Sequence, residues 1–177
     1  MVATLPVWMA VFCRNEALRR RYLLAFLCCW IVNGTLVAGV FMSGGPAFHA
    51  LLGADPQPFA DLLAYLQQLP GPFSVVEEQR ILWQAYLTEG PTVGAGISAF
   101  PSLHVTMAVL SMLAAWRLNR WLGIALSLFA AVIIAGSIHL GWHYAVDGYV
   151  GALLTLVIWA VAGWTSIRTP PASPGRP

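Results

Sequence analysis

Long uncharged hydrophobic stretches alternate with short polar segments along this chain. Four of the stretches are close to the ~20 residues that a helix needs to cross a bilayer, and they cover residues 22–42, 97–116, 121–140 and 148–167. Hydrophobic residues fill these stretches as blocks, without alternating apolar and polar stripes. The pattern therefore predicts an all-α fold, a polytopic membrane helix bundle of about four transmembrane helices.

The segments outside these spans predict smaller elements. In the polar region between the first two spans, residues 60–69 and 77–87 have helix-like apolar spacing. This spacing favours short amphipathic helices in an outer loop on the membrane surface or, equally, a packed cap over the spans. Residues 1–12 are apolar without a basic start, and they fit an interfacial segment, or the remnant of a longer protein's helix, better than a signal peptide. We expect one membrane-embedded domain over residues 1–168 and a disordered, Pro-rich tail over residues 169–177.

Composition agrees with a membrane protein. Hydrophobic residues make up 59% of the 177 residues and charged residues 9%, with a mean hydropathy of +0.73, whereas about a quarter of a soluble domain is charged. The net charge is only +2 and no basic stretch interleaves with aromatic residues, which excludes nucleic acid as a partner. The chain has no Lys, which excludes a lysine Schiff base. Cys13, Cys28 and Cys29 lack metal-ligand or redox spacing, and we interpret them as small core hydrophobes.

The arginines orient the predicted helices. They cluster before the first span, between the second and third, and after the fourth, at Arg14, Arg19, Arg20, Arg21, Arg117, Arg120 and Arg168. By the positive-inside rule these sites are cytoplasmic, as are both termini, and the acidic region between the first two spans lies outside. This topology places five polar residues together on the outer side, namely His49, His104, His139, His143 and Asp147.

Asp147 follows His143 at a separation of four residues. On a helical backbone the carboxylate shares a face with the imidazole and accepts its Nδ1–H, which leaves Nε2 as a nucleophile or base. A purely structural hydrogen bond is the alternative. Ionisable groups at the edge of a membrane span are costly, and their presence there favours a functional site.

His104 lies near the outer start of the second span, after Pro101 and Ser102. Ser98 or Ser102 is expected to cap the helix, and Pro101 suits its first turn. Both polar motifs then occupy the outer N-termini of helices, where backbone N–H groups and the helix dipole favour an anion. A phosphate between them would meet His104 on one side and His143 on the other.

Two segments of this region resemble the C-terminal signature motifs of the type 2 phosphatidic acid phosphatase and vanadium haloperoxidase superfamily: PSLH at residues 101–104 and LGWHYAVD at residues 140–147. The variant is most similar to the inositol phosphorylceramide synthase-like (inositolphosphotransferase) branch. The resemblance implies that His143 attacks phosphorus to form a phosphohistidine, that Asp147 orients it, and that His104 protonates the leaving oxygen. It also implies that Ser102 hydrogen-bonds a phosphate oxygen.

The resemblance is incomplete where the superfamily binds phosphate. Its first motif, a Lys followed by Arg-Pro, is absent, and Ser137 replaces an Arg that normally precedes the nucleophilic histidine. We therefore take Arg80 and His139 as candidate substrate-binding residues. The alternatives are an ion pair of Arg80 with Glu77 or Glu78, and a hydrogen bond of His139 at its helix end.

Two other features bear on this resemblance. The Ser-Gly-Gly-Pro string at residues 43–46 resembles a Gly-Pro element of the branch that touches substrate, or it is a helix stop. Members of the branch usually have more spans, so the chain is interpreted as a C-terminal fragment, a short variant or part of a homo-oligomer.

The resemblance implies an enzyme that acts on a lipid phosphate or phospholipid through a phosphohistidine, without a metal or other cofactor. Water as acceptor would make it a lipid phosphatase, and a hydroxyl would make it a phospho-headgroup transferase. We expect an integral protein of a bacterial inner membrane with its active site at the non-cytoplasmic face, towards the periplasm or outside. The alternatives are a catalytically inactive membrane subunit or scaffold, suggested by the missing cations, and a histidine-ligated metal or haem protein.

Overall fold

The computed structural model of the chain describes residues 7–8, 11–69, 74–89 and 97–168. These residues form helices and turns, and they contain no strand. The all-α prediction is confirmed. The predicted disordered tail, residues 169–177, and most of the apolar start lie outside the described residues.

Helix α1 covers Glu16–Ile31, and it continues through a π-helical segment, Val32–Val37, into the short helix α2, Ala38–Phe41. It begins before the predicted start at residue 22 because the side chain of Asn15 accepts the backbone N–H of Leu18 and caps it. Arginines therefore lie in the first turns of the helix, where long side chains can reach water from the edge of a membrane.

The region between the first two predicted spans contains several short helices. These are α3, Gly45–Phe48; a 3₁₀ turn, Gln57–Phe59; α4, Ala60–Gln67; and α5, Val75–Glu89. The two short helices predicted in this region are confirmed as α4 and α5. Leu66 of α4 and Gln79 of α5 are buried, so these helices pack over one end of the bundle as a cap.

Three further helices complete the bundle: α6, Leu103–Leu118; α7, Arg120–His139; and α8, Ala145–Arg168. By length and composition, three helical stretches can cross a membrane, at Glu16–Phe48, Arg120–His139 and Ala145–Trp164. Helix α6 is apolar but has only 16 residues, about 24 Å. The predicted second span began too early, because residues 97–102 are not helical and Ser102 caps α6.

Helix α6 lies at the centre of the bundle and contacts α1, α7 and α8. Every residue from Val105 to Ser111 is buried. At its first turns α6 approaches α8 closely, because a Cβ atom at Gly151 would lie 2.9 Å from the Ser102 carbonyl oxygen. Two of the three cysteines, Cys13 and Cys29, are buried as predicted, whereas Cys28 is exposed.

At the opposite end of the bundle, an arginine of α1 packs against α8. The guanidinium of Arg21 lies 4.1 Å from the centroid of the Trp159 ring in α8 and donates two hydrogen bonds to the Trp159 carbonyl, at 3.1 and 2.8 Å. We call this contact between α1 and α8 the arginine seam.

Candidate functional site

Two histidine rings face one another at the end of the bundle that α4 and α5 cover. His104 belongs to the first turn of α6, and His143 lies in the turn between α7 and α8. Their ring centroids are 6.2 Å apart and their planes are tilted by 55°. Helix termini that are distant in the sequence thus place two imidazoles at one location.

The tautomer of His143 is set by a backbone carbonyl. Its Nδ1 lies 2.8 Å from the carbonyl oxygen of Ala99, an atom that can only accept, so Nδ1 carries the proton. The other ring nitrogen, Nε2, is then unprotonated. Ala99 is held in turn by its own N–H, which donates to the Ser43 carbonyl at 2.6 Å.

Asp147 does not accept the Nδ1–H of His143, which corrects the prediction. Its Oδ2 lies 3.8 Å from that nitrogen and accepts the backbone N–H of Tyr144 at 2.7 Å instead. The prediction assumed a helical backbone from His143 onwards, but α8 begins only at Ala145, and Asp147 caps that helix. The buried carboxylate remains near enough to stabilise positive charge on the ring.

Burial makes His143 a weaker base than an exposed histidine. Loss of solvent lowers the pKa of His143 below its usual value of 6.5, and the neighbouring His104 lowers it further. The hydrogen bond to the Ala99 carbonyl opposes this shift without cancelling it. His143 is therefore neutral at pH 7.

The turn that carries His143 is fixed by hydrogen bonds from three elements. The N–H groups of Trp142 and His143 donate to the Ser137 carbonyl, at 3.0 and 3.2 Å. From α3, the N–H of Ala47 donates to the Gly141 carbonyl at 3.0 Å. From α5, the Nε2 of Gln79 donates to the Leu140 carbonyl at 3.0 Å. The position of His143 thus depends on the capping helices as well as on α7 and α8.

Residues 43–46 act as the predicted helix stop, and they also shape the site. They follow the end of α2 at Phe41, as a helix stop would. Gly45 adopts φ +68°, and a Cβ atom there would collide with the Trp142 carbonyl, so a glycine is required where α3 meets the His143 turn. Gly44 lines the cavity described next.

A cavity of about 630 Å³ opens beside the two histidines. His104 and His143 supply its imidazoles, and Ser98 and Ser137 supply hydroxyl-bearing side chains. The remaining walls are mostly apolar, and they come from α3, α5, α7 and residues 97–99. None of the described residues that line the cavity is Arg or Lys. The space suits an apolar ligand that carries one compact polar group.

Ser102 contributes to the site indirectly. It is fully buried, and its Oγ accepts the backbone N–H of Val105 as the cap of α6. Its own N–H donates to the carbonyl of Asp147 at 3.1 Å. Ser102 does not line the cavity; instead it ties the helix that carries His104 to the helix that carries Asp147.

The structure does not bring Arg80 or His139 to the cavity. The exposed guanidinium of Arg80 forms two hydrogen bonds with Glu77, at 2.9 and 2.6 Å, and this bonding lowers the pKa of the Glu77 carboxyl. The alternative interpretation of Arg80 as an ion-pair partner is therefore confirmed. His139 is exposed and its ring packs against Tyr65, with centroids 5.9 Å apart. The contact with α4 holds the ring outside the cavity.

His49 belongs to a neighbouring aromatic cluster. Its Nδ1 lies 2.6 Å from the hydroxyl of Tyr144, and the Phe59 ring packs against both. The four histidines of the chain thus occupy three separate places. Within the described ranges, no group of three or more His, Cys, Asp or Glu side chains is arranged to hold a metal ion. The metal or haem alternative receives no support from this geometry.

Sequence reasoning missed two residues that hold the site. The carbonyl of Ala99 gives no signal in a sequence, because every residue has one. Gln79 does give a signal: it lies at helical spacing from Val76, Trp83 and Tyr86 as the polar member of an otherwise apolar stripe.

The family model described as the PAP2 superfamily matches residues 1–161. Neither the curated proteins nor the solved structures contain a significant match.

Proposed function

Because the chain belongs to the PAP2 superfamily, a family with phosphatase-type activity on lipid phosphates, we propose that it transfers a phosphoryl or phospho-headgroup from a membrane lipid through a phosphohistidine on His143. The observation that carries this proposal is the pair of imidazoles, His104 and His143, with ring centroids 6.2 Å apart beside an apolar cavity. A phosphorus atom between them has a nucleophile on one side and an acid on the other.

His143 has the properties of the nucleophile. Its Nδ1–H is engaged with the Ala99 carbonyl, so Nε2 presents a lone pair, and the lowered pKa keeps the ring neutral at pH 7. Attack of Nε2 on phosphorus forms an N–P bond and breaks the bond from phosphorus to the leaving oxygen. The ring then carries positive charge, which the carboxylate of Asp147, 3.8 Å from Nδ1, stabilises.

His104 has the position of the general acid. In its protonated form it delivers a proton to the leaving oxygen as the P–O bond breaks, a role that typically contributes about 10²–10⁴-fold. In the second half-reaction neutral His104 takes a proton from water or from an acceptor hydroxyl, whose oxygen attacks phosphorus and breaks the N–P bond. These steps use only side chains of the chain itself, so the proposal involves no metal.

The charge of the site favours a particular phosphate. Among the described residues that line the cavity, His104 is the one group beside the nucleophile that can carry a positive charge, which it does when protonated. One positive charge balances the single negative charge of a phosphodiester, whereas a phosphomonoester dianion would keep an unbalanced charge in an apolar cavity, which is costly. A phosphodiester lipid is therefore the favoured donor, whether water or a hydroxyl accepts the transferred group, and Arg80 and His139 make no contact with its phosphate. Ser102 acts as a positioning residue for His104.

The arginines favour the non-cytoplasmic face for the site. They lie at the start of α1 and at the turn between α6 and α7, whereas the two histidines lie at the other end of these helices. The positive-inside rule then places the cavity at the outer face.

Turnover by the purified chain in detergent tests the proposal. A lipid phosphomonoester and a phosphodiester with identical chains are compared, each with and without a lipid hydroxyl acceptor, and both free phosphate and new lipid are measured. We expect more rapid turnover of the phosphodiester and formation of a new lipid. Rapid denaturation should trap an acid-labile, alkali-stable phosphohistidine that His143→Gln removes. Absence of turnover and of trapped label would instead favour the inactive subunit.

A further inference from the structure

The wall that α7 contributes to the cavity continues onto the outer surface of the helix. Gly136 and Leu140 line the cavity together with Val132. One helical repeat earlier comes Leu128, and these four residues follow one another at intervals of four, along one stripe of the helix. Leu128 is 65% and Val132 is 67% exposed. In a membrane span such exposed apolar side chains face lipid, so the stripe leads from the bilayer into the cavity.

Gly136 has only a hydrogen atom as its side chain, so the stripe is narrowest at this position. Packing against neighbouring residues does not require a glycine there. A Cβ atom at this position would meet nothing within 4 Å. Gly123 of the same helix differs, since a Cβ atom there would collide with the ring of Trp116. A glycine in a helix interior is unfavourable relative to alanine. The missing side chain at residue 136 therefore leaves open space where the stripe enters the cavity.

Residues from other parts of the chain also make the cavity apolar. Leu82 of α5, which is 39% exposed, and Ile97 line the same cavity. A polar headgroup in this passage would lose water without gaining hydrogen bonds, whereas a hydrocarbon chain would lose unfavourable contact with water. The chemistry of the passage thus fits the hydrocarbon part of a lipid.

We propose that Gly136 determines specificity, by leaving room for the hydrocarbon chain of the substrate to lie along Leu128, Val132 and Gly136 while its phosphate lies between His104 and His143. This inference rests on the proposed function, and it adds which part of the substrate occupies the α7 wall. A bulky residue at 136 blocks the chain and leaves the histidines in place.

Gly39 provides a matched control for substitution at Gly136. It is also a helical glycine whose Cβ would meet nothing within 4 Å, and it does not line the cavity. For wild type, Gly136→Ala, Gly136→Phe and Gly39→Phe, kcat/KM is measured with short-chain and long-chain lipids that share one headgroup. We expect Gly136→Phe to lower the ratio of long-chain to short-chain kcat/KM by about tenfold or more, mainly through KM, and Gly136→Ala to lower it less. Gly39→Phe should keep the wild-type ratio. An unchanged ratio in Gly136→Phe would overturn the inference.

A binding experiment separates this inference from the proposed function. A lipid with a photoreactive group in its hydrocarbon chain is cross-linked to the protein in detergent, and the labelled peptides are mapped. We expect labelling of α7 around Leu128 and Val132 in wild type and Gly39→Phe, and reduced labelling in Gly136→Phe. Labelling without turnover by the wild type would uphold the passage and contradict the proposed enzyme. Turnover without labelling of α7 would uphold the enzyme and contradict the passage.

Discussion

The two ends of the bundle are held together in different ways. At the arginine seam, a side chain fills the space between α1 and α8: Arg21 covers the Trp159 ring and bonds to its carbonyl. At the histidine end, defined here as residues 97–104 and 137–147, a cavity of about 630 Å³ remains, and hydrogen bonds to backbone carbonyls hold the chain around it. Both ends thus use hydrogen bonds to backbone carbonyls, but a side chain fills the space between helices at the arginine seam, whereas the histidine end keeps a cavity in which chemistry can occur.

The largest expected effect comes from His143→Gln, which removes the nucleophile at the histidine end. Turnover should fall by about 10³-fold or more and the trapped phosphoenzyme should disappear, because the proposed mechanism forms the covalent intermediate on this residue. Steady-state rates and phosphoenzyme trapping measure the two effects. The matched control at the other end is Arg19→Gln, an exposed substitution that should leave both unchanged. Substantial phosphoenzyme in His143→Gln would assign the nucleophile to another residue.

A second substitution at the histidine end, His104→Gln, separates acid catalysis from nucleophilic attack. The rate should fall by about 10²–10⁴-fold with a natural leaving group. The loss should be much smaller with a substrate whose leaving group is a weak base, because such a group departs without a proton. The ratio of rates for the two substrates gives the readout. An equal loss with both would mean that His104 has a structural role instead.

Two substitutions, one at each end of the bundle, test whether hydrogen bonds at the histidine end affect catalysis and those at the arginine seam do not. Gln79→Leu leaves the Leu140 carbonyl unpaired, and Arg21→Met removes the two bonds to the Trp159 carbonyl. Each should lower the free energy of unfolding by about 1–3 kcal/mol. Only Gln79→Leu should also lower kcat, because it loosens the turn that carries His143. Thermal unfolding in detergent and kcat per folded protein give the measurements, and equal effects on kcat would contradict the comparison.

The smallest expected effect is the pH dependence of the histidine end. Burial lowers the pKa of His143 below 6.5, so the acid limb of kcat/KM, where the nucleophile becomes protonated, should lie at that lowered pKa. The free energy of unfolding changes with pH in the same direction, so it also falls on acidification. The unfolded chain takes up this proton near pH 6.5 and the folded chain only at lower pH, so stability present above pH 6.5 is lost on acidification. His143→Gln should remove this part of the unfolding profile. An acid limb of kcat/KM centred above pH 6.5 would contradict the assignment.

Predictions that depend on interactions within one helix agree better with the structure than predictions that depend on contacts between helices. The third span, predicted at residues 121–140, is observed at Arg120–His139, because Asn119 caps it and hydrophobic residues run without a break. Ser102 was predicted as one of two caps for α6 and is the one observed. The phosphate contacts proposed for Arg80 and His139 could not be tested from spacing alone, since the direction in which α5 and α7 present those side chains depends on how the helices pack.

Hydrophobic length and capping residues act within one segment of chain, so local patterns specify the order of the apolar helices and the placement of both histidine motifs at helix termini. Only the tertiary structure decided which oxygen takes the Nδ1–H of His143, since Ala99 is distant in sequence and acts through a backbone atom that every residue has. It also decided that Gln79 and Gly45 hold the His143 turn. Among the residues that the structure describes, no arginine lines the cavity. Such contacts arise between helices, and no local pattern specifies them.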